Sequence, residues 1–444
     1  MPQPAPSKTI TPQKSLRTID IACLIVGTIL GAGIFRVPSM VAGQLNSETA
    51  ILIAWLLGGL ISVIGALCYA ELATAYPNVG GEYHFLQKAY GQKLAFLYGW
   101  ARSIVIVTGS LGILGITLGD YMTNIIPLGA YSSSIWAIIV VIALSLLNAL
   151  GIKEGKTAQN ILTIFEVLGV LAIIGTGFFV EGASTPVVQQ QLVEPNFGAA
   201  SLAIVFVLLT YGGWNEAAYV SAEAVDQRRG ILKALLIGIG LVTILYVLVN
   251  LALLHAFGAE KMGQSNAIAS DLFDVAYGHR SAVIFSSIVV FSCLNSINAT
   301  IIFGSRSSFA LGQDWKIFSW IGDWHESGTP RKAIFLQCLI AIVLILGASL
   351  ERESFKSLVE FTAPVFWFFI LLIGISVFIL RKKNPQQVIP CPVPFYPVLP
   401  ILFVLTVAWL LWSSIAYSGW GALYGVACLA VGAVILLIES KKKF

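Results

Sequence analysis

Five ionisable side chains, Arg36, Glu71, Arg102, Glu166 and Glu216, stand within or beside long apolar runs of this sequence. In lipid such a charge costs about 2.5–3.5 kcal/mol on insertion scales, so it marks a partner, a water-filled path or a transported ion. Glu166 lies about nine residues into its run, roughly 14 Å deep at 1.5 Å per residue, and Arg102 lies at a comparable depth in another. Two readings stand. Either these two pair with each other or with nearby backbone as a structural device, or Glu166 binds a proton or cation whose occupancy biases a conformational equilibrium. Glu216 is either a place for a cationic substrate group or a satisfied cavity residue. Arg36 is one half of an outer gate pair or the cap of a half-helix. Glu71, near the inner end of the second run, reads as a structural anchor for the loop between helices 2 and 3.

Two of the runs are interrupted near their middles. The first holds Gly27-Thr28-Ile29-Leu30-Gly31-Ala32-Gly33-Ile34-Phe35, then Arg36 and Pro38; the sixth holds Thr210-Tyr211-Gly212-Gly213-Trp214-Asn215-Glu216. A lone glycine pair in a membrane helix usually serves close packing. Three glycines within seven residues, with a proline shortly after, predict unwinding instead. Unwound backbone is tolerated at membrane depth only where it lines a cavity or is buried in protein. Four uninterrupted runs separate the two breaks, the pattern of two inverted five-helix repeats that each begin with a discontinuous helix. Half-helix N-termini offer positive dipole ends to an anion, and the opposing carbonyls hold a cation. A zwitterionic amino acid carries both charges a few ångströms apart.

The rest of the chain must position these groups in lipid. Of 444 residues 57% are hydrophobic and 11% charged, with mean hydropathy +0.86; soluble domains carry roughly 25% charged residues. Apolar segments fall near 18–43, 49–76, 94–119, 134–151, 160–180, 199–222, 232–257, 281–311, 332–349, 358–380, 396–417 and 420–438. Each is long enough to cross a layer about 30 Å thick, and none shows the period-two alternation of a barrel. The twelve segments are predicted helices.

Basic residues fix the predicted orientation. With the N-terminus cytoplasmic, inner segments collect Lys8, Lys14, Arg17, Lys88, Lys93, Lys153, Lys156, Arg228, Arg229, Lys233, Arg306, Lys316, Arg331, Lys332, Arg381, Lys382, Lys383, Lys441, Lys442 and Lys443. Outer loops hold only Lys261, Arg280, Arg352 and Lys356. The resulting division is a cytoplasmic tail 1–17, a first repeat 18–180, a second repeat 199–380, two further helices 396–438 and a cytoplasmic tail 439–444. Met1 to Arg17 has no signal-peptide character, so the first run reads as a retained span.

Other chemistries find no support. The net charge of +4 is spent on orientation and says little about nucleic acid. Cys23, Cys68, Cys293, Cys338, Cys391 and Cys428 lie far apart, without metal-ligand spacing, and read as packing residues. His84, His255, His279 and His325 are scattered, which argues against a membrane-embedded enzyme. No phosphate-binding loop suggests a pump, and single charges on different helices do not make a channel's charged ring. No cofactor is expected.

Further markers are Cys68-Tyr69-Ala70-Glu71-Leu72 with Pro77, Gly80-Gly81-Glu82-Tyr83 and Ala89-Tyr90-Gly91. Tyr211 to Asn215 leads to Glu223, Ser305-Arg306 is followed by Gly328-Thr329-Pro330, and Tyr396-Pro397-Val398-Leu399-Pro400 precedes the eleventh segment. With the first-segment glycines, these make the chain resemble the amino acid–polyamine–organocation (APC) superfamily, most of all its L-type amino acid transporter branch. The resemblance covers nearly the whole chain.

It implies an all-α, LeuT-like 5+5 inverted-repeat fold with discontinuous helices 1 and 6 and two additional C-terminal helices. It implies a substrate carboxylate on backbone N–H groups around Gly31, Ala32 and Gly33. The ammonium would meet carbonyls near Ile29, Leu209, Thr210 and Gly212, with Ser110, Asn295 and Asn298 as polar contacts. Three positions depart from the family. Ala32 replaces a frequent serine, which leaves backbone donors intact. Leu209 stands where the family has an aromatic gate, so part of that role falls to Tyr211. Glu166 stands where many members carry a helix 5 lysine, which reverses the charge between helices 1 and 8. Animal members of the branch join a heavy chain through a cysteine between helices 3 and 4; 120–134 has none, so no such partner is expected.

The resulting expectation is a plasma-membrane (cell inner membrane) secondary transporter, monomer or homodimer, moving neutral amino acids by alternating access. Exchange and proton symport are both open, with Glu166, Arg102 and Glu216 as coupling candidates. A cationic amino acid or polyamine carrier, or a substrate-sensing transceptor, is the alternative.

Overall fold

A computed structural model describes residues 14–180, 197–226, 229–265, 268–278, 281–350, 354–418 and 422–441. Residues 1–13 and 442–444 of the predicted tails, and Lys8, Arg228, Arg280, Arg352, Lys442 and Lys443 among the orienting charges, lie outside the described residues. The chain is helical. In order run α1 (Thr18–Ile29), α2 (Val37–Leu45), α3 (Glu48–Ala75), α4 (Glu82–Tyr90), α5 (Gln92–Ala101), α6 (Val107–Ile125), α7 (Ser132–Leu150), α8 (Ile152–Phe179) and α9 (Phe197–Thr210). Then come α10 (Gly230–Gln264), α11 (Ile268–Tyr277), α12 (Ala282–Asp314), α13 (Arg331–Ala348), α14 (Ser354–Lys383), α15 (Val398–Ser418) and α16 (Ala422–Lys441).

Among the described residues, ten helical stretches are long and apolar enough to cross a membrane. The first and last predicted segments take the form of shorter apolar helices, Thr18–Ile29 and Leu423–Glu439. The first is short because the glycine run splits it into α1 and α2. Pro38 fits the first turn of α2, where its missing N–H costs nothing, and Asn46 closes that helix in a left-handed conformation, φ 46°. Ser47 then caps α3, accepting from the Ala50 N–H.

The amphipathicity of α8 runs opposite to that of a water-soluble helix. Ile164 is 59% exposed while Glu166 is fully buried. Gln159 and Thr163 share the buried face with Glu166, and Ile161, Phe165 and Leu168 are exposed. Polar groups inward and apolar groups outward are what a hydrocarbon solvent selects.

At the end where the chain begins, Ser15 and Leu16 donate their N–H groups to the Glu223 carbonyl (3.0 Å each), and the Val225 N–H donates to Leu16 (2.9 Å). Glu71 is an anchor, but for the end of α14 and the segment before α15 and not for the loop after its own helix, because Arg381 supplies the buried carboxylate with a cation. It accepts from Arg381 Nε (2.7 Å) and Nη2 (2.5 Å), and from the Val393 N–H (2.7 Å).

Candidate substrate and coupling site

Both interruptions are real breaks. After Ile29 the backbone extends at Gly31 (φ −50°, ψ −172°) and re-forms as a 3-10 turn, Ala32–Phe35. After Thr210 it turns through Gly213 (φ +119°) into a 3-10 segment, Trp214–Glu223. The breaks face each other. A Cβ on Gly33 would sit 3.0 Å from Thr210 Cγ2, and one on Gly213 would sit 2.8 Å from the Thr28 carbonyl. Gly213 therefore needs to be glycine twice over, for its left-handed φ and for this approach.

Two of the carbonyls expected to meet an ammonium converge on one group. Tyr246 of α10 donates to Ile29 at 2.6 Å and lies 3.3 Å from the Thr210 carbonyl. The Leu209 carbonyl accepts from the Gly212 N–H at 3.2 Å. Tyr211 is buried and turned to α3, where it donates to the Trp55 carbonyl (3.0 Å) and packs edge-on with Tyr246. Leu209 keeps a partly exposed side chain. Ser110 donates within its own helix to Ile106, 2.8 Å away.

Arg102 and Glu166 do not pair. The structural reading that joined them is corrected, because each finds other partners. Arg102 opens a π-helical turn, Arg102–Ile106, between α5 and α6. Such turns recur at functional sites. Its guanidinium pairs with Glu216, reaches Glu82 at 3.4 Å and Ser307 at 3.2 Å, and lies 4.0 Å over the Tyr219 ring. Glu82 in turn accepts from Tyr69 (2.5 Å), Tyr219 (2.7 Å), Asn215 (3.1 Å) and Tyr98. Nearby, Arg306 and Glu223 form a second buried pair.

Glu166 sits between the first break and α12. Ser292 and Asn295 contact its carboxylate, Asn295 Nδ2 at 2.5 Å from Oε2. Ser292 also lies 2.9 Å from the Leu30 carbonyl, and Ser296 donates to Gly27 at 2.8 Å. Among the described residues no cation pairs with Glu166. Asn295 and Asn298 are thus engaged on the Glu166 side of α1, Asn298 donating to Gln159 Oε1 at 2.8 Å. A Cβ on Gly27 would collide with Gln159 and Asn295.

At the opposite end, Phe285 of α12 packs against Phe35, Tyr121 and Phe273, with ring centroids 5.7–6.0 Å apart. Glu82, Tyr246, Ser292 and the amides Asn148 and Gln159 were not anticipated. The stripe Gln159, Thr163, Glu166 at spacings of four and three is the helical-face signal that could have found Gln159; the other four lie on other helices, beyond the reach of any spacing rule.

The sequence pattern of the family described as amino acid permease matches residues 16–437. The chain belongs to this amino acid permease family. Curated relatives agree. The serine/threonine exchanger SteT of Bacillus subtilis (strain 168) is 29% identical over 94% of this chain and 96% of its own length. The human b(0,+)-type amino acid transporter 1 is 30% identical over 98% of this chain and 90% of its own. The human large neutral amino acids transporter small subunit 2 is 27% identical over 92% and 78%. The amino acid permease described here is a membrane-embedded, multi-pass APC transporter of the L-type branch, and not an enzyme.

Proposed function

We propose that this permease moves neutral amino acids by alternating access, exchanging them across the membrane, with protonation of Glu166 biasing the conformational cycle. The observation that carries the proposal is the pair of facing helix breaks, with a buried carboxylate beside one of them that has no cationic partner among the described residues. The substrate carboxylate is placed on the N–H groups of Gly31, Ala32 and Gly33. The ammonium is placed where the Ile29 and Thr210 carbonyls converge, near Leu209 and Gly212. Leu209 serves as the lid in place of an aromatic ring, with Tyr211 behind it, and Ser110 lies along the side-chain route.

Neutral substrates are favoured over cationic ones because the negative charge of Glu216 is already taken by Arg102. The relatives named for serine and threonine and for large neutral amino acids support this. Proton symport is the second mode, favoured by Glu166 itself.

The proposed transporter has twelve spans with both termini cytoplasmic, which the charge asymmetry supports, a 5+5 inverted repeat with two added helices, which the spacing of the two breaks and the family resemblance support, and a plasma-membrane location. The division into 18–180, 199–380 and 396–438 goes with it. No heavy chain joins through 120–134, which has no cysteine.

The test is uptake and counterflow in proteoliposomes with a panel of labelled amino acids, with and without a pH gradient. Accumulation or exchange of neutral amino acids, with pH dependence lost in Glu166→Gln, is the expected result. Binding without flux would make the protein a sensor, and flux of cationic substrates or polyamines alone would reverse the substrate class.

A further inference from the structure

Four buried amides point in one direction toward Glu166. Asn148 of α7 donates to the Leu144 carbonyl (2.8 Å) and to Asn298 Oδ1 (2.7 Å). Asn298 donates to the Gly155 carbonyl (3.2 Å) and to Gln159 Oε1 (2.8 Å). Gln159 donates to Asn295 Oδ1 (2.5 Å), and Asn295 donates to Glu166 Oε2 (2.5 Å). Two backbone carbonyls fix this polarity at the far end. Leu144 and Gly155 only accept there, so Asn148 and Asn298 must turn their NH2 groups toward them, and each amide passes the orientation on. Glu166 Oε2 therefore always meets a donor, and among the described residues no acceptor lies beside it for a hydrogen of its own, whereas Oε1 has the Ser292 hydroxyl.

Any proton on Glu166 is thereby assigned to Oε1, which faces Ser292. The Ser292 hydroxyl has one hydrogen and two neighbours, Oε1 and the Leu30 carbonyl. With the carboxylate ionised, both neighbours need that one hydrogen and one goes without. With a proton on Oε1 the chain closes: Oε1–H donates to Ser292, and Ser292 donates to Leu30.

We infer that Ser292 is a positioning residue that reads the protonation of Glu166 into the first helix break. This rests on the coupling role proposed for Glu166. Protonated Glu166 leaves the Ser292 hydrogen on Leu30 and holds the end of α1 against α12. When the proton leaves to water, the carboxylate draws that hydrogen to itself and the Leu30 carbonyl is released to move.

Other titratable groups on the elements packed against α8 do not replace this link. From α12 comes Cys293, with Arg306 and Asp314 toward its other end; from α10 comes Tyr246, with Lys233, Glu260 and Lys261 near its ends and His255 against the Phe178 ring of α8, 5.9 Å away. From α1 come Cys23 and Asp20, the latter held by Lys156 of α8 at 2.7 Å. Lys153 and Glu154 stand with Lys156 at the start of α8 itself. From α11 come Asp271 and Asp274, bonded to Ser265 (2.5 Å) and Ser281 (3.0 Å), and Tyr277 beside Thr176 (3.2 Å). The sequence of α7 supplies none.

The test compares pH profiles of exchange in proteoliposomes for the wild type, Glu166→Gln, Ser292→Ala and Ser292→Thr, with infrared difference spectra of each. One proton gives the wild type a limb of up to about tenfold per pH unit. Glu166→Gln is expected to flatten it and remove the carboxylic acid band. Ser292→Ala should reduce the slope below about twofold per unit while keeping that band, shifted by loss of a hydrogen-bond partner. Ser292→Thr, which retains the hydroxyl, should restore the slope. A Ser292→Ala profile matching the wild type, with Glu166→Gln flat, overturns the role of Ser292 alone. A Glu166→Gln profile matching the wild type, or no acid band, overturns the underlying coupling reading. If Ser292→Ala does not fold, the band position in wild type and Ser292→Thr decides: a band at the frequency of a free acid in either overturns the link.

Discussion

The hydroxyl of Tyr246 lies 2.6 Å from the carbonyl of Ile29, so one side chain of α10 holds the end of α1 at its break. The same hydroxyl is 3.3 Å from the Thr210 carbonyl at the other break. A single donor thus keeps two carbonyls aimed at one point before any substrate arrives, which spares the ordering a flexible site would need.

Removing that donor gives the first prediction. Tyr246→Phe keeps the ring and its contacts with Trp55 and Tyr211 but leaves a buried carbonyl unpartnered, worth about 1–3 kcal/mol. The expected outcome is a KM for amino acid uptake raised by roughly 5- to 100-fold, with protein yield unchanged. A lowered KM would mean that the hydroxyl competes with the ammonium instead of preparing its site.

Arg102 carries the second prediction. It is fully buried between two carboxylates, and removing one partner of such a group costs about 3–5 kcal/mol through the charges left behind. Arg102→Ala should lower the unfolding temperature in detergent markedly. Adding Glu216→Gln to it should recover part of the loss, since one stranded charge is then gone. Additive losses in the double variant would show that the pair is not energetically linked.

These residues also show what the sequence made legible. The breaks were legible because glycine and proline act locally, within the residues that unwind. Glu166 was legible as a charge in an apolar run, and its neighbours Gln159 and Thr163 lie on its own helical face. The partners of Arg102 were not. Glu216 is 114 positions away, and Glu82 sits on the short helix α4 outside the apolar runs, so no spacing rule connects them. Tyr246, 217 positions from Ile29, reads in sequence as one more aromatic packing residue; only its hydroxyl's place between two breaks gives it a role. The ten long apolar helices among the described residues were legible from length alone, while the first was shortened by the break it contains.

Gly213 offers a third prediction with a built-in control. Its φ of +119° and its approach to Thr28 both oppose a Cβ, and strain of this kind costs about 1–3 kcal/mol before the collision is counted. Gly213→Ala should abolish or sharply reduce uptake. Gly240→Ala, at a helical glycine with open space around it, should leave thermal stability unchanged or slightly raised. Equal effects of the two substitutions on uptake would remove the argument from the break's geometry.

The backbone pairing of Leu16 with 223–225 leads to the last prediction. Leu16 is 1% exposed, and its segment is bonded to the backbone on both sides of Ala224. The Glu223 side chain meanwhile holds Arg306 of α12, with Oε2 at 2.9 Å from Nη2. The start of the chain therefore fastens to the same short stretch that ties the end of the second broken helix to α12. An opening at this end must separate the Leu16 pairing or carry it along as a unit. Leu16→Ala removes buried side-chain atoms worth about 2 kcal/mol at the low end for such a change, without touching the hydrogen bonds themselves. If the pairing breaks on opening, the amide of Val225 should exchange with solvent about 30-fold faster in the variant, since 1.4 kcal/mol is a factor of ten. The remote Leu111 amide, inside α6, should keep its wild-type rate. If Val225 exchange is unchanged while Leu16→Ala is folded, the segment travels with 223–225, and the opening at this end lies elsewhere, with the Arg102–Glu216 pair as the next contact to measure.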